Sequence, residues 1–285
     1  SIRLPAGWCG LVGLKPSAGR LPIDPPFIGR AAGPMTRTVG DTALYMSVLT
    51  KPDRRDTMAL PYQEIDWLNL AGSVKGLKIG LWLEAGFGQE AGAETLTAVQ
   101  GAAALLADAG ATIVPIQPFL TRTMIDGLDR FWRARGYEDV SRLPPEQQAK
   151  ILPYIFNWIV TAKDFSGGDV YSGFAQIDAM RNALHTALKD VDFIISPTAP
   201  EPSYPAEWAS PLNDPQRPFE HIAFTVSANM GGQPAVSINC GYSSGGLPIG
   251  LQIIGQSFDD LGVLRLARAF EEMRAPSRPW PKLSD

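Results

Sequence analysis

Cysteine and histidine are scarce in this sequence, with two of each among 285 residues. Cys9 and Cys240 lie far apart in the chain, which excludes a disulfide framework and is typical of a reducing, cytoplasmic setting. His185 and His221 are equally isolated, whereas a structural metal site needs about three or four clustered ligands. The sequence therefore predicts no metal site and a cytoplasmic location.

Excess charge of one sign and long apolar runs are also absent. Lys and Arg total 25 against 29 Asp and Glu, a net charge of −4. Clustered basic residues bind nucleic acids and anionic membrane surfaces, so we expect neither as a partner. Apolar runs such as 102–106 are far shorter than the roughly 20 residues that span a bilayer, so no membrane helix is predicted.

Glycine and proline, in contrast, are abundant, at 28 and 25 residues. They are spread along the chain, which is typical of turns in a loop-rich α/β fold rather than of low complexity. With 45% hydrophobic residues, the chain can bury a sizeable core. We find no internal repeat and expect a single domain over residues 1–285.

Apolar patterning predicts the main elements. Strands over 77–82 and 111–116 flank a helix over 91–109, the length of a parallel β-α-β unit. Thr38 predicts the start of an earlier helix, because its hydroxyl can accept from the amide of Asp41. A buried strand is expected over residues 191–196, a hairpin over 234–239 and 247–254, and further helices over 119–135, 145–163, 170–189, 219–230 and 259–273.

The first twenty residues, SIRLPAGWCGLVGLKPSAGR, fit neither an amphipathic helix nor an alternating strand. They predict a backbone-driven loop that leads into buried structure. Ser1 is a candidate nucleophile, because nearby glycines let backbone amides approach a substrate and stabilise an oxyanion. No candidate base follows Ser1 at a spacing that indicates a nucleophile–base pair. His185 and His221 fall in predicted helices, where lone histidines are more often structural.

These twenty residues resemble the second half of the amidase signature, in which Gly-Gly-Ser-Ile/Val-Arg leads through Pro and Cys-Gly to Gly-Leu-Lys-Pro. Other segments similar to that family follow in the same order, at 33–39, 192–200, 224–225, 229, 232–235 and 246–253. Together they span nearly the whole chain. The sequence is therefore identified as a member of the amidase signature family that resembles its C-terminal portion.

The resemblance implies an α/β fold with a mixed, twisted central sheet flanked by helices on both sides, here incomplete. It also implies a Ser–cis-Ser–Lys triad in which Ser1 is the nucleophile, while the bridging serine and the lysine lie upstream of residue 1. Lys15 belongs to the Gly-Leu-Lys-Pro element and is not that base. The family chemistry forms and hydrolyses an acyl-enzyme and needs no metal or organic cofactor.

Residues near Ser1 are candidates either for support of the signature loop or for contact with the substrate. Arg3 either holds the signature loop by hydrogen bonds to backbone and carboxylate groups or contacts substrate. Cys9, expected to be a small buried residue, and Gly10 support the loop, and Leu4 is a candidate apolar wall of the substrate pocket. Pro197 and Thr198 are candidates for substrate binding, because ligands of open α/β sheets bind where strands end.

Aromatic residues of the helices predicted over 119–135 and 145–163 form either a core under a helical layer or the wall of an apolar pocket. They are Phe131, Trp132, Tyr154, Phe156 and Trp158. Together with Leu4, the second interpretation favours a partly apolar acyl group over a dicarboxylate.

Four functions stay open. The first is an amidase that hydrolyses a small carboxylic amide, and the second is the A-subunit of a glutamine-dependent amidotransferase. The third is a catalytically incomplete fragment or interaction module, because two triad members are absent. The fourth takes Ser1 as an N-terminal nucleophile with its own amine as base. We expect this chain to need its N-terminal portion for a complete site and to be inactive alone; a homodimer is left open.

Overall fold

A computed structural model of the chain describes residues 1–280, and a mixed β-sheet forms its centre. The order across the sheet is β2-β1-β6-β7-β5-β3-β4. Strand β3 runs parallel to both β4 and β5, and the other neighbours are antiparallel. The strands are β1 (Val12–Lys15), β2 (Met35–Thr36), β3 (Lys78–Leu81), β4 (Thr112–Pro115), β5 (Phe193–Pro197), β6 (Ala235–Tyr242) and β7 (Pro248–Gly255).

Helices cover both faces of this sheet, which confirms the expected fold class. They are α1 (Arg3–Cys9), α2 (Val39–Leu49), α3 (Ala93–Asp108), α4 (Arg122–Ser141), α5 (Pro145–Gln148), α6 (Pro153–Ile159), α7 (Gly167–Leu188), α8 (Val226–Gly231) and α9 (Asp260–Met273).

Two separate cores lie on the two faces, because side chains of a strand alternate between them. On β5, Phe193 and Ile195 join a core with α2, α3 and α9. The residue between them, Ile194, joins a second core with α4, α7 and α8. On β7, Ile253 joins the first core and Ile254 joins the second. Central strands buried on both faces explain why the sequence shows apolar runs there rather than alternation.

Several predicted local features are confirmed. Strands β3 and β4 enclose α3 as a parallel β-α-β unit, and β6 and β7 form an antiparallel hairpin. Thr38 accepts a hydrogen bond from the Asp41 amide (3.0 Å) at the start of α2. Asp259 caps α9 through the Gly262 amide (3.0 Å).

Two predicted helices are interrupted. The segment predicted over 145–163 divides into α5, α6 and a 3₁₀ turn, Val160–Asp164. Pro153 begins α6 and, having no N–H and restricting the residue before it, cannot continue a helix from upstream. The segment predicted over 219–230 is a 3₁₀ turn, Glu220–Ile222, followed by the short α8. Among the described residues, no helix is both long and apolar enough to cross a membrane.

Candidate active site around Ser1

Ser1 is exposed at the head of a buried helix. The segment expected to be a backbone-driven loop contains α1, and that expectation was wrong. Pro5 lies in the first turn, where proline is tolerated. Gly10 ends the helix in the left-handed conformation (φ 70°), as glycine does after many helices. The three residues that follow Ser1 are all buried.

Helix α1 lies directly on the sheet because small residues face it. A Cβ added to Gly7 would lie 3.2 Å from both the Ser237 hydroxyl and the Thr198 methyl group. Thr198 is fully buried, and its hydroxyl shares a 2.8 Å hydrogen bond with that of Ser237. Pro197, the last residue of β5, is buried as well. The structure therefore places Thr198 in the floor beneath α1, whereas Pro197 is buried at the end of β5 with no described contact to that helix.

Arg3 joins α1 to the other end of the chain. Its guanidinium donates to the Thr225 carbonyl at 2.8 Å and to the side-chain oxygens of Gln252 and Asn229. The acceptors are a backbone carbonyl and two amides, and no carboxylate among the described residues pairs with it. Burial lowers the pKa of Arg3 to about 9, which leaves it charged at pH 7. Its bonds hold the first turn of α1 to Thr225, Asn229 and Gln252.

The other signature residues differ in their exposure. Leu4 is buried beside Arg3, at 9% exposure. The expectation that Cys9 is buried was wrong: Cys9 is exposed, because α1 buries the face that carries Arg3, Leu4, Ala6 and Gly7. Gly10 supports the segment through its left-handed turn.

His221 and two aromatic residues gather near the start of α1. The His221 ring lies 6.3 Å from that of Trp8, and Trp8 packs edge-on against Tyr204 at 5.0 Å. Burial lowers the pKa of His221 to about 4. His221 is thus a neutral imidazole near Ser1, whereas His185 lies on the exposed face of α7. No local sequence signal links Trp8 to residues about two hundred positions away.

The aromatic residues of α4 and α6 mostly contact other parts of the protein. Trp132 and Trp158 both pack edge-on against Phe219, with ring centroids 4.8 and 5.5 Å away. Tyr154 donates to the Asp214 carbonyl at 2.8 Å. These contacts favour the interpretation of an aromatic layer that holds the loop before α8. Among the described residues, no group of His, Cys, Asp and Glu could hold a metal ion.

Comparison with known proteins identifies the family. The amidase family model matches residues 1–264. The A-subunit of glutamyl-tRNA(Gln) amidotransferase from Thermodesulfovibrio yellowstonii is 31% identical over 317 residues, covering 99% of this chain and 63% of that protein. The protein of the same name from Bacillus velezensis is 29% identical over 315 residues, covering 99% of this chain and 64% of its own length.

Solved structures agree with this assignment. A bacterial aryl acylamidase of the amidase signature family superposes with a TM-score of 0.80 at 26% identity, covering 96% of this chain and 60% of that one. A 6-aminohexanoate cyclic dimer hydrolase shares the fold, with a TM-score of 0.80 at 22% identity over 98% of this chain and 63% of its own. The chain thus spans less than two thirds of these relatives. It belongs to the amidase signature family.

Proposed function

We propose that this chain carries the nucleophile of an amidase that hydrolyses the C–N bond of a small carboxylic amide through an acyl-enzyme on Ser1. The observation that supports this most directly is the anchoring of the segment that bears Ser1: Ile2, Arg3 and Leu4 are buried, and Arg3 donates a hydrogen bond to the Thr225 carbonyl. A nucleophile must be accessible yet held in one place, because reacting groups need a near-attack geometry. A cytoplasmic location and chemistry without metal or organic cofactor are part of the same proposal.

In the proposed reaction, the Ser1 hydroxyl oxygen attacks the amide carbonyl carbon while a base removes its proton. The tetrahedral oxyanion collapses, the C–N bond breaks, and the amine leaves with a proton. Water then attacks the acyl ester, which releases the carboxylate and restores the Ser1 hydroxyl. The resemblance assigns the base to a lysine acting through a cis-serine, both outside this chain. Arg3 positions the segment that bears Ser1.

The names of the curated relatives favour a second candidate, the A-subunit of a glutamine-dependent amidotransferase. The relatives from Thermodesulfovibrio yellowstonii and Bacillus velezensis are both named as A-subunits of glutamyl-tRNA(Gln) amidotransferase. In that case Ser1 performs the same attack on the side-chain amide of glutamine, and the ammonia passes to a partner subunit. The two candidates share the acyl-enzyme and differ in substrate and in dependence on partners.

The test is ammonia release by the full-length protein from an aromatic primary amide such as benzamide and from glutamine, with and without candidate partner subunits. Ser1→Ala should lower the rate by at least about 10³-fold, whereas Ser141→Ala, at an exposed serine, should leave it unchanged. Release that strictly requires partner subunits would favour the amidotransferase. Equal rates for Ser1→Ala and wild type would refute both. The 285-residue chain alone should show no turnover, in accord with a site that needs upstream residues.

A further inference from the structure

Two basic side chains are buried close to each other at the start of the chain. Arg3 and Lys15 are 3% and 2% exposed. Arg20 has a carboxylate partner, Asp260, at 3.1 Å, but neither Arg3 nor Lys15 has one among the described residues. The Lys15 ammonium donates to the Pro16 carbonyl at 2.7 Å. An ammonium has three donors, and a buried charge without an opposite charge is costly, so Lys15 is incompletely compensated.

Lys15 lines a cavity of ≈ 340 Å³ between the segment after β1 and the end of α8. Ser17 lines the same cavity, and its hydroxyl is buried without a hydrogen-bond partner in the described part of the chain. Phe27, Ile28 and Met230 supply apolar surface. The cavity thus has an apolar wall and lies beside two buried side chains with spare donors, a composition that is usual for a small-molecule site.

The charge around this cavity is positive. Arg30 and Arg181 also line it, as does one acidic residue, Asp56. Arg181 is paired with the Asp178 carboxylate at 2.6 Å, so Lys15 and Arg30 are the cationic groups of the lining without a carboxylate partner among the described residues. The Asp56 carboxylate already accepts from the backbone amides of Ile23 (2.9 Å) and Met58 (2.8 Å). The Asp56 carboxylate is therefore already engaged, and the cationic groups of the lining exceed it in number. An anionic ligand would be complementary to them.

We propose that this cavity binds a carboxylate, which accepts hydrogen bonds from the Lys15 ammonium and the Ser17 hydroxyl, with the apolar body of the ligand against Phe27 and Met230. A carboxylate fits because it offers two acceptor oxygens and one negative charge to these two donors. It can come from a separate small molecule or from a side chain of polypeptide beyond this chain. Ser1 is not part of the cavity lining.

Binding of a carboxylate should change the protonation of Lys15, and this change can be measured. Burial first, and then the charge of Arg3, lower the pKa of Lys15 to about 7, while Asp260 acts in the opposite direction. Asp260 is itself paired with Arg20. A carboxylate in contact with the amine favours its charged form and raises its pKa. Binding above pH 7 should therefore take up a proton.

The experiment is calorimetric titration of the full-length protein with benzoate, and with benzyl alcohol as an uncharged analogue, at pH 8 in buffers of different ionisation enthalpy. Benzoate should bind with proton uptake and benzyl alcohol at least about tenfold more weakly, a difference of about 1.4 kcal/mol. Lys15→Met should weaken benzoate binding at least tenfold and abolish the uptake. Lys189→Met, at an exposed lysine, should change neither. Equal affinity in Lys15→Met and wild type would overturn the proposal.

A second comparison tests whether the carboxylate belongs to the full-length protein itself. If a side chain of the full-length protein already fills the site, benzoate does not bind, and Lys15→Met lowers the melting temperature well below that of Lys189→Met, because it breaks a buried pair. Absence of both benzoate binding and this destabilisation contradicts the proposal. Should Lys15→Met fail to fold, Ser17→Ala replaces it in either comparison: weaker benzoate binding or a lowered melting temperature supports the proposal, and no change in both contradicts it.

Discussion

Gly13 of β1 is where the helix that follows Ser1 comes very close to the sheet. A methyl group at Gly13 would lie 2.5 Å from Ala6 Cβ and 2.9 Å from the Ile2 carbonyl oxygen. Carbon atoms in contact are about 3.5–4.0 Å apart. Neither neighbour can rotate aside, because one is a Cβ and the other is backbone. Gly13→Ala therefore requires α1 to move by about 1 Å, the contact distance less the available distance.

Two consequences follow for the full-length protein. Overpacking of this kind costs about 1–3 kcal/mol, which corresponds to a fall in melting temperature of about 2–4 °C per kcal/mol in a chain of this size class. Displacement of a reacting group by about 1 Å can slow a reaction about 100-fold. We expect Gly13→Ala to lower the melting temperature and to slow acylation of Ser1 by one to two orders of magnitude, roughly, measured by thermal unfolding and mass spectrometry.

Gly101 in α3 provides a matched control, because a methyl group there has nothing within 4 Å. Gly101→Ala should stabilise the protein by about 0.5–1 kcal/mol, since glycine is a poor helix former. Adding Ala6→Gly to Gly13→Ala removes the 2.5 Å contact and should restore part of both properties. Equal melting temperatures and equal acylation rates for Gly13→Ala and Gly101→Ala would contradict this prediction.

Two further predictions concern buried ionisable groups. In denaturant titrations, Asp260→Asn should destabilise the protein by about 3–5 kcal/mol, because it leaves buried Arg20 unpaired. The control Asp178→Asn, at an exposed aspartate, should cost less than about 1 kcal/mol. Equal destabilisation by the two substitutions would contradict this prediction. His221 has a folded pKa of about 4, so the unfolded chain binds its proton first as pH falls below about 6.5. Stability should therefore fall by up to about 2–3 kcal/mol between pH 6.5 and 4, and His221→Gln should lose this component; an unchanged slope would exclude it.

Much of the fold could be predicted from sequence where the signal is local. The hydroxyl of Thr38 and the amide of Asp41 are three residues apart, and they cap α2 as expected. The short apolar runs of β3 and β4 and the helix between them have the length of a parallel unit, and they form one. In each case the deciding contacts lie within one element or between neighbours in the chain.

Helix α1 was missed because its stability does not come from its own composition. It has seven residues, no side-chain cap at Ile2, and Pro5 and Gly7 within it, so propensity alone argues against a helix. The available sequence signals were Gly10, a residue that commonly ends helices in the left-handed conformation, and a proline that could be confined to the first turn. The rest of its stabilisation comes from burial against β1, β6 and β7, which a local pattern does not reveal.

The position of Ser1 therefore depends on the opposite end of the chain. Arg3 bonds to Gln252, 249 positions away, and the sheet surface beneath α1 includes Gly250. A Cβ at Gly250 would lie 2.9 Å from the Thr198 hydroxyl and 3.0 Å from Gly7 Cα. A side chain there would lift α1 from below, as one at Gly13 would push it from the side. The hairpin β6–β7 therefore helps to hold α1, and with it the proposed nucleophile, in place.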